Sequence, residues 1–317
     1  MFPDELCARF GAERIVANAP LAPLTTFKVG GPADWLLETR GADEIVAALA
    51  IAHQAGVPVT LLGGGSNVLI SDAGLRGLVI RPRGGRVESC GEGRVRAGAA
   101  LTINGLVRCT INHGLAGLEA WAGTPGTIGG GIFGNAHFGG RLLGELVDSV
   151  RLAARDGTVR DLPRREMEFG YDRSRLQRTG EVLLWAVFVV SAGDPAKLRD
   201  VARRSLSFRK TTQPLDTPSA GCIFMNPDPA VDRLPDGIPA SAGALVDRAG
   251  LKGTAIGRAR VSRAHGNFIV NEGGARARDI RALIELCRVQ VLERFKVNLR
   301  EEIVYLGRFD AGGMEGS

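Results

Sequence analysis

The sequence predicts a protein of mixed helices and strands folded as two or three packed units, and three observations lead there. At 317 residues the chain is longer than one hydrophobic core usually serves. Apolar residues at helical spacing alternate along it with short apolar runs bounded by glycine and proline, the mark of helices interleaved with buried strands. The longest apolar run, Val182 to Val190, falls well short of the roughly 18 residues a membrane span needs, so it reads as a buried strand.

The elements follow in order. Ile45, Val46, Leu49 and Ala50 recur with helical period between Asp43 and Gly56, and Gly56 and Pro58 stop the pattern. Strands are predicted at Val57 to Leu62, Val68 to Ile70 and Leu78 to Ile80, with Gly63-Gly64-Gly65-Ser66-Asn67 between the first two. A second helix is marked by Ile103, Leu106, Val107, Thr110 and Ile111, after which the chain is dense in glycine from Gly114 to Gly140. Val150 to Ala154 and Thr158 to Leu162 flank Asp156-Gly157, a hairpin signal. After the Val182 to Val190 strand comes a basic helix, Ala196 to Lys210, where a domain boundary is placed. Thr211 to Pro239 is rich in turn residues around one short strand, Cys222 to Met225; helices then follow at Ala242 to Ala249 and at about Arg278 to Phe295, the latter with Ile280, Leu283, Ile284, Cys287 and Val291 on one face.

The composition excludes several classes. Five cysteines, odd in number and without C-x-x-C spacing, argue against a disulfide framework or a structural zinc site, and no metal is expected. Net charge is +6, but the basic residues are dispersed among acidic ones with few aromatics between them, so no nucleic-acid surface is predicted; the excess suits anionic small ligands. The first residues, with Asp4 and Glu5, hold no apolar stretch of signal length, and the expected location is the cytoplasm, without membrane insertion.

Two stretches carry chemistry. Gly63 to Asn67 offers backbone N–H groups unobstructed by Cβ atoms, together with a hydroxyl and an amide, which suits the diphosphate of a dinucleotide. It has neither G-x-G-x-x-G spacing nor a Walker lysine, and a plain flexible loop is the alternative. The stretch Gly123-Thr124-Pro125-Gly126-Thr127-Ile128-Gly129-Gly130-Gly131-Ile132-Phe133-Gly134-Asn135-Ala136 spends glycine between apolar residues. That is costly unless something such as a planar cofactor lies against the backbone, or unless the segment turns tightly in a closely packed sheet.

Taken with Thr25-Thr26-Phe27-Lys28-Val29-Gly30-Gly31-Pro32-Ala33, these stretches resemble the FAD-binding half of the UDP-N-acetylenolpyruvoylglucosamine reductase family. The resemblance continues through Phe169-Gly170-Tyr171-Asp172-Arg173-Ser174, Ser219 to Pro227, Ala249 to Gly253, Val261 to Asn271 and Leu299-Arg300-Glu301-Glu302-Ile303. It implies an α+β fold: a two-subdomain FAD-binding domain of the vanillyl-alcohol-oxidase type plus a smaller α+β substrate-binding domain. The implied boundaries are 1–205 for the FAD-binding domain (subdomains about 1–80 and 81–205), 206–299 for the substrate domain, and 300–317 for a tail returning to the FAD domain. The implied cofactors are tightly but non-covalently bound FAD and NADPH as hydride donor. The implied reaction reduces UDP-N-acetylglucosamine enolpyruvate to UDP-N-acetylmuramate in peptidoglycan precursor synthesis.

Carried over position by position, the resemblance implies FAD contacts at Gly63, Gly64, Gly65, Ser66, Asn67, Gly123, Pro125, Gly126, Thr127, Gly129, Gly130, Asn135 and Ala136, and substrate contacts at Tyr171 and Asn226. The proton donor, normally serine, is Cys222, a thiol whose ordinary pKa of about 8.5 makes it the better acid near neutrality. Glu302 matches the catalytic glutamate, with the adjacent Glu301 its natural control. The family's arginine directly after the tyrosine is Asp172 here, with Arg173 one place later. Either Arg173 serves through a different local backbone, or Arg175 or Arg209 substitutes, because a one-residue shift along a strand turns a side chain to the other face. Met225 stands where a lysine is expected, and Asn135-Ala136-His137-Phe138-Gly139-Gly140 departs from the family's small-residue run with a tyrosine. His265 is read as a structural hydrogen-bond partner. Two other readings accommodate the departures: a flavin oxidase or dehydrogenase of the same superfamily with another substrate, or a flavin-binding relic without activity.

Overall fold

A computed structural model of the chain describes residues 2–309. Contacts divide the chain into two compact units: residues 1–18, 34–64 and 77–209 form one, and 19–33, 65–76 and 210–317 the other. The resemblance implies a boundary at 205/206 with everything before it in one domain, and the sequence pattern places it at the basic helix Ala196 to Lys210. In the structure the division falls at Arg209/Lys210, and two early segments, 19–33 and 65–76, pack with the C-terminal part of the chain.

In the first unit the helix Ala42–Gln54 buries Ile45, Ala48, Leu49 and Ala52. It joins a core with Leu37, Leu78 and Ile80. The sheet beneath runs in the order Ile15–Pro20, Pro32–Thr39, Leu75–Pro82, Val59–Leu61, and its last pair is parallel, with Val59 opposite Leu78 and Leu61 opposite Ile80. A five-stranded antiparallel sheet follows, in the order Val159–Pro163, Val147–Ala153, Val182–Val189, Arg94–Gly98, Val87–Ser89. The apolar run read as one buried strand is thus the middle of this sheet. The predicted hairpin is its outer pair, with Gly157 at φ 88° and the Thr158 N–H donating to the Asp156 carboxylate at 2.8 Å. The helix Ile103–Asn112 lies over the sheet with Ile103, Leu106, Val107 and Ile111 buried beside Trp121, which is wholly enclosed.

A short helix, Ile128–Phe133, sits inside the glycine-dense stretch, where the sequence shows only turns or a backbone against a cofactor. Its four residues Ile128 to Gly131 include three glycines, which disfavour helix and hide the pattern. Two devices hold it: the Thr127 hydroxyl accepts from the Gly130 N–H, and Gly131 fits where a Cβ would stand 3.0 Å from Ile103 and 3.1 Å from Leu143.

The second unit is built around the helix Ala277–Phe295, whose predicted face, Ile280, Leu283, Ile284, Cys287 and Val291, is buried as expected. It packs with the helix Ala242–Arg248 and the sheet Ala255–Ile256, Ala259–Val261, Ile269–Asn271. Val68–Ile70 pairs in parallel with Val304–Leu306, so this late strand docks on one of the early segments of its own unit. Cys222 to Met225, expected as a strand, forms only a bridge between Phe224 and Glu301.

The first unit is also pinned by an ion pair with a clear pH signature. Glu44 accepts from Arg14 at 3.0 and 2.7 Å and from the Arg40 N–H at 2.8 Å. The Arg14 guanidinium holds its carboxyl down at about 2, from an ordinary 4.5. A carboxyl depressed in the folded state stabilises fully above its unfolded pKa and loses that contribution as pH falls through the folded one. Arg14→Met should therefore lower the melting temperature at pH 7 by the equivalent of about 1 kcal/mol. In thermal melts across pH, the gap to the parent should close between pH 4.5 and about 2; a gap independent of pH would contradict the assignment.

Candidate functional site

In the first unit the two glycine turns meet. A Cβ at Gly63 would lie 2.5 Å from the Thr127 hydroxyl oxygen, and one at Gly64 would lie 2.9 Å from the Gly126 Cα. The backbones therefore touch where only glycine permits it. Gly126, at φ 99°, needs glycine for its conformation as well. Among the described residues the N–H groups of Gly63, Gly64, Gly126 and Thr127 have no protein acceptor. Backbone donors are rarely left unpaired, and several presented by abutting turns suit a polyanion such as a diphosphate. The cradle a Cβ would fill, and the donors it leaves, fit the dinucleotide part of FAD.

Asn104 and Arg209 brace the second turn, and neither role is visible in the sequence pattern. Asn104 accepts from the Gly123 N–H at 2.7 Å and donates to the Thr124 carbonyl at 3.0 Å. Arg209, 7% exposed, donates to the Thr124 hydroxyl at 2.8 Å and lies 4.1 Å over the Phe138 ring. Gly129, in the first turn of the helix beside Gly130, packs against the Ala99 carbonyl, while Pro125 and Ala136 flank the helix. Asn135 is fully buried and uses both ends of its amide internally, donating to the Gly170 carbonyl and accepting from the Gly144 N–H, each at 2.7 Å. It ties the glycine stretch to the turn that carries Tyr171 and Arg173, both of them exposed. Arg175, the other substitute considered, is engaged with Glu181 at 2.9 Å.

The second unit brings Cys222 and Glu302 onto neighbouring backbone. The Glu302 N–H donates to the Ile223 carbonyl at 2.8 Å, and the Met225 N–H to the Arg300 carbonyl at 2.9 Å. Asn267, 3% exposed, holds the other edge: its amide accepts from the Phe224 N–H at 2.8 Å and donates to the Phe224 carbonyl at 2.7 Å. Glu301 faces the long helix, paired with Arg281 at 3.0 Å and Arg288 at 3.3 Å. Cys222 is half-buried, whereas Cys287 is enclosed and burial pushes its thiol up to about 12. Asn226, exposed, accepts from the Ala242 N–H at 3.1 Å. The Asn67 amide donates to the Glu302 carbonyl at 3.2 Å; Gly65, at φ 63°, accepts from Thr26, and Ser66 is half-buried. His265 accepts from the Asn267 N–H at 3.1 Å, and burial and Lys252 lower its pKa, so it stays a neutral structural acceptor.

Residues 33–163 match the family model described as FAD binding domain, and residues 213–306 match that of UDP-N-acetylenolpyruvoylglucosamine reductase, C-terminal domain. The UDP-N-acetylenolpyruvoylglucosamine reductase of Synechococcus sp. (strain JA-3-3Ab) is 41% identical over 299 residues, covering 94% of this chain and 93% of its own. The chain belongs to the UDP-N-acetylenolpyruvoylglucosamine reductase family. The protein of that name from Bacillus subtilis (strain 168) is 36% identical over 93% of this chain and 94% of its own. The crystal structure of UDP-N-acetylenolpyruvylglucosamine reductase from Thermus caldophilus is similar at a TM-score of 0.76 and 31% identity, covering 92% of this chain and 98% of that one. The expected α+β fold class with its FAD-binding domain is borne out. Among the described residues no helix is long and apolar enough to cross a membrane.

The contact between the turns gives a direct test. Gly64→Val should drive a side chain into Gly126 and weaken flavin binding at least about tenfold, equivalent to ~1.4 kcal/mol. The readout is the flavin-to-protein absorbance ratio after dialysis; a variant that retains parental flavin would contradict the cradle.

Proposed function

We propose that this protein reduces UDP-N-acetylglucosamine enolpyruvate to UDP-N-acetylmuramate in cytoplasmic peptidoglycan precursor synthesis, with FAD as cofactor and NADPH as reductant. The observation that carries the reading is the end-to-end likeness to the Synechococcus protein of that name. The abutting glycine turns and the adjacency of the Cys222 and Glu302 backbones agree with it.

Saturating the enolpyruvyl double bond adds hydride at one carbon and a proton at the other. FAD, when bound, supplies the hydride it has taken from NADPH. The N–H groups of Gly63, Gly64, Gly126 and Thr127 are the natural holders of its diphosphate, with Gly123, Pro125, Gly129, Gly130 and Ala136 giving the backbone close approach and Gly65, Ser66 and Asn67 extending the loop. The protein's own work concerns the negative charge that spreads toward the substrate carboxylate and the proton that quenches it. Cys222 donates that proton: it is half-buried, and its segment is clamped by Asn267 and by the Glu302 N–H. Glu302, the next residue after the clamped Glu301, assists the proton's delivery. Tyr171 and Asn226 contact the substrate, and Arg173, exposed at the end of the Tyr171 turn, adds attraction for an anionic ligand.

Anaerobic stopped-flow absorbance tests this. NADPH should bleach the flavin, and the enolpyruvyl nucleotide should restore its colour. Cys222→Ser should keep the second phase, while Cys222→Ala should slow it by about 10²–10⁴ and leave the bleaching alone. Equal recovery in all three proteins would remove Cys222 as donor. Bleaching without recovery in the parent would point to a different substrate.

A further inference from the structure

The turn at 170–173 and the 137–138 strand bring together two side chains, His137 and Asp172, that the mechanism above leaves unused. The Gly170 N–H donates to the Arg173 carbonyl at 3.0 Å and the Arg173 N–H to the Gly170 carbonyl at 3.2 Å, so Tyr171 and Asp172 are the two residues of a hairpin turn. Asp172 sits at φ 51°, a conformation that short polar side chains accept more readily than most. Arg173 is exposed beyond the turn, its guanidinium along Gly170, where a Cβ would lie 3.3 Å from its Nε.

The Asp172 side chain, by contrast, is 10% exposed and meets His137 Nδ1 at 3.1 Å. Its second oxygen is buried and has no hydrogen-bond partner among the described residues. His137 lies in the strand His137–Phe138 and stacks on Tyr171 with ring centroids 4.7 Å apart, the tyrosine hydroxyl standing 3.3 Å from Nε2. Asn135 locks the base of both loops through Gly170 and Gly144. Three side chains from two loops are thereby held in one register. One of them is a carboxylate kept in a costly, half-satisfied place.

A carboxylate on Nδ1 fixes the orientation of an imidazole, and a ring carrying a proton on each nitrogen has an N–H at Nε2 as well. The neighbouring phenol is a second donor. We infer that Asp172 and His137 form a carboxylate–imidazole dyad that, together with Tyr171, supplies hydrogen-bond donors to the carboxylate of the enolpyruvyl group. This rests on the substrate assigned above. It divides the work of a cation in this region: Arg173 attracts from the surface, and His137 makes the contact. An arginine at 172 would combine the two, whereas the dyad acts through directed donors.

The test is a coupling experiment on the flavin-loaded enzyme, with the two half-reactions followed separately. His137→Gln and Asp172→Asn should each leave NADPH bleaching within about twofold of the parent and slow reoxidation by UDP-N-acetylglucosamine enolpyruvate by about tenfold or more, chiefly by raising the nucleotide concentration needed. Asp172→Arg places a guanidinium at the turn itself, and in that background His137→Gln should cost less than about twofold. Should His137→Gln lose its flavin, Asp172→Asn, which keeps the side chain's size, carries the test alone, with slower reoxidation by the nucleotide expected. Unchanged reoxidation in these variants, or equal slowing of both half-reactions, would overturn the dyad. A parent enzyme that bleaches but is not reoxidised by the nucleotide would instead overturn the substrate assignment.

Discussion

The contact of Gly63-Gly64 with Gly126-Thr127 is the constraint on which the first unit's chemistry depends. Two turns more than sixty residues apart approach until a single methyl group would force them apart. The approach accounts for glycine at 63, 64 and 126, and it leaves four N–H groups without a protein acceptor among the described residues. Surrounding elements exist to hold it. The strand Val59–Leu61 delivers the first turn, and Thr127 caps the short helix that leaves the second. Asn104 and Arg209 fasten the Gly123-Thr124 bend that leads into it.

The second unit applies a different physical device to the same end. There the reactive candidates are placed by satisfied hydrogen bonds: the Asn267 amide engages both polar groups of Phe224, and the Glu302 N–H closes on Ile223. Glu301 is drawn to the long helix by Arg281 and Arg288, and Arg281 also donates to the Tyr305 hydroxyl at 2.6 Å. Burial raises the Tyr305 pKa, so it remains a neutral donor in that network. Substituting Glu301 thus disturbs an anchor as well as a charge, which matters when it serves as the control for Glu302.

Local pattern made much of this legible. The face Ile280, Leu283, Ile284, Cys287 and Val291 is a period of 3.6 that tertiary packing obeys, and Asp156-Gly157 marks its hairpin because the turn demands glycine's conformation. What stayed hidden is non-local. Cys222 to Met225 reads as a strand, but its partner is residues 300–302, and the pairing stops after one bridge. Segments 19–33 and 65–76 carry no local sign that they pack with the C-terminal part of the chain. Both glycine turns could be singled out one by one, yet their contact could not. His137 is one histidine in a loop until the turn at 170–173 brings Asp172 to its ring.

The central claim is that the abutting turns hold a dinucleotide through backbone N–H groups, and amide NMR addresses it most directly. With glycine and threonine labelled with ¹⁵N in the flavin-free protein, titration with FAD should move the Gly63, Gly64, Gly126 and Thr127 amide signals together. Signals of glycines remote from the turns, such as Gly237, should stay in place. Flavin binding that leaves those four amides unmoved would contradict the account.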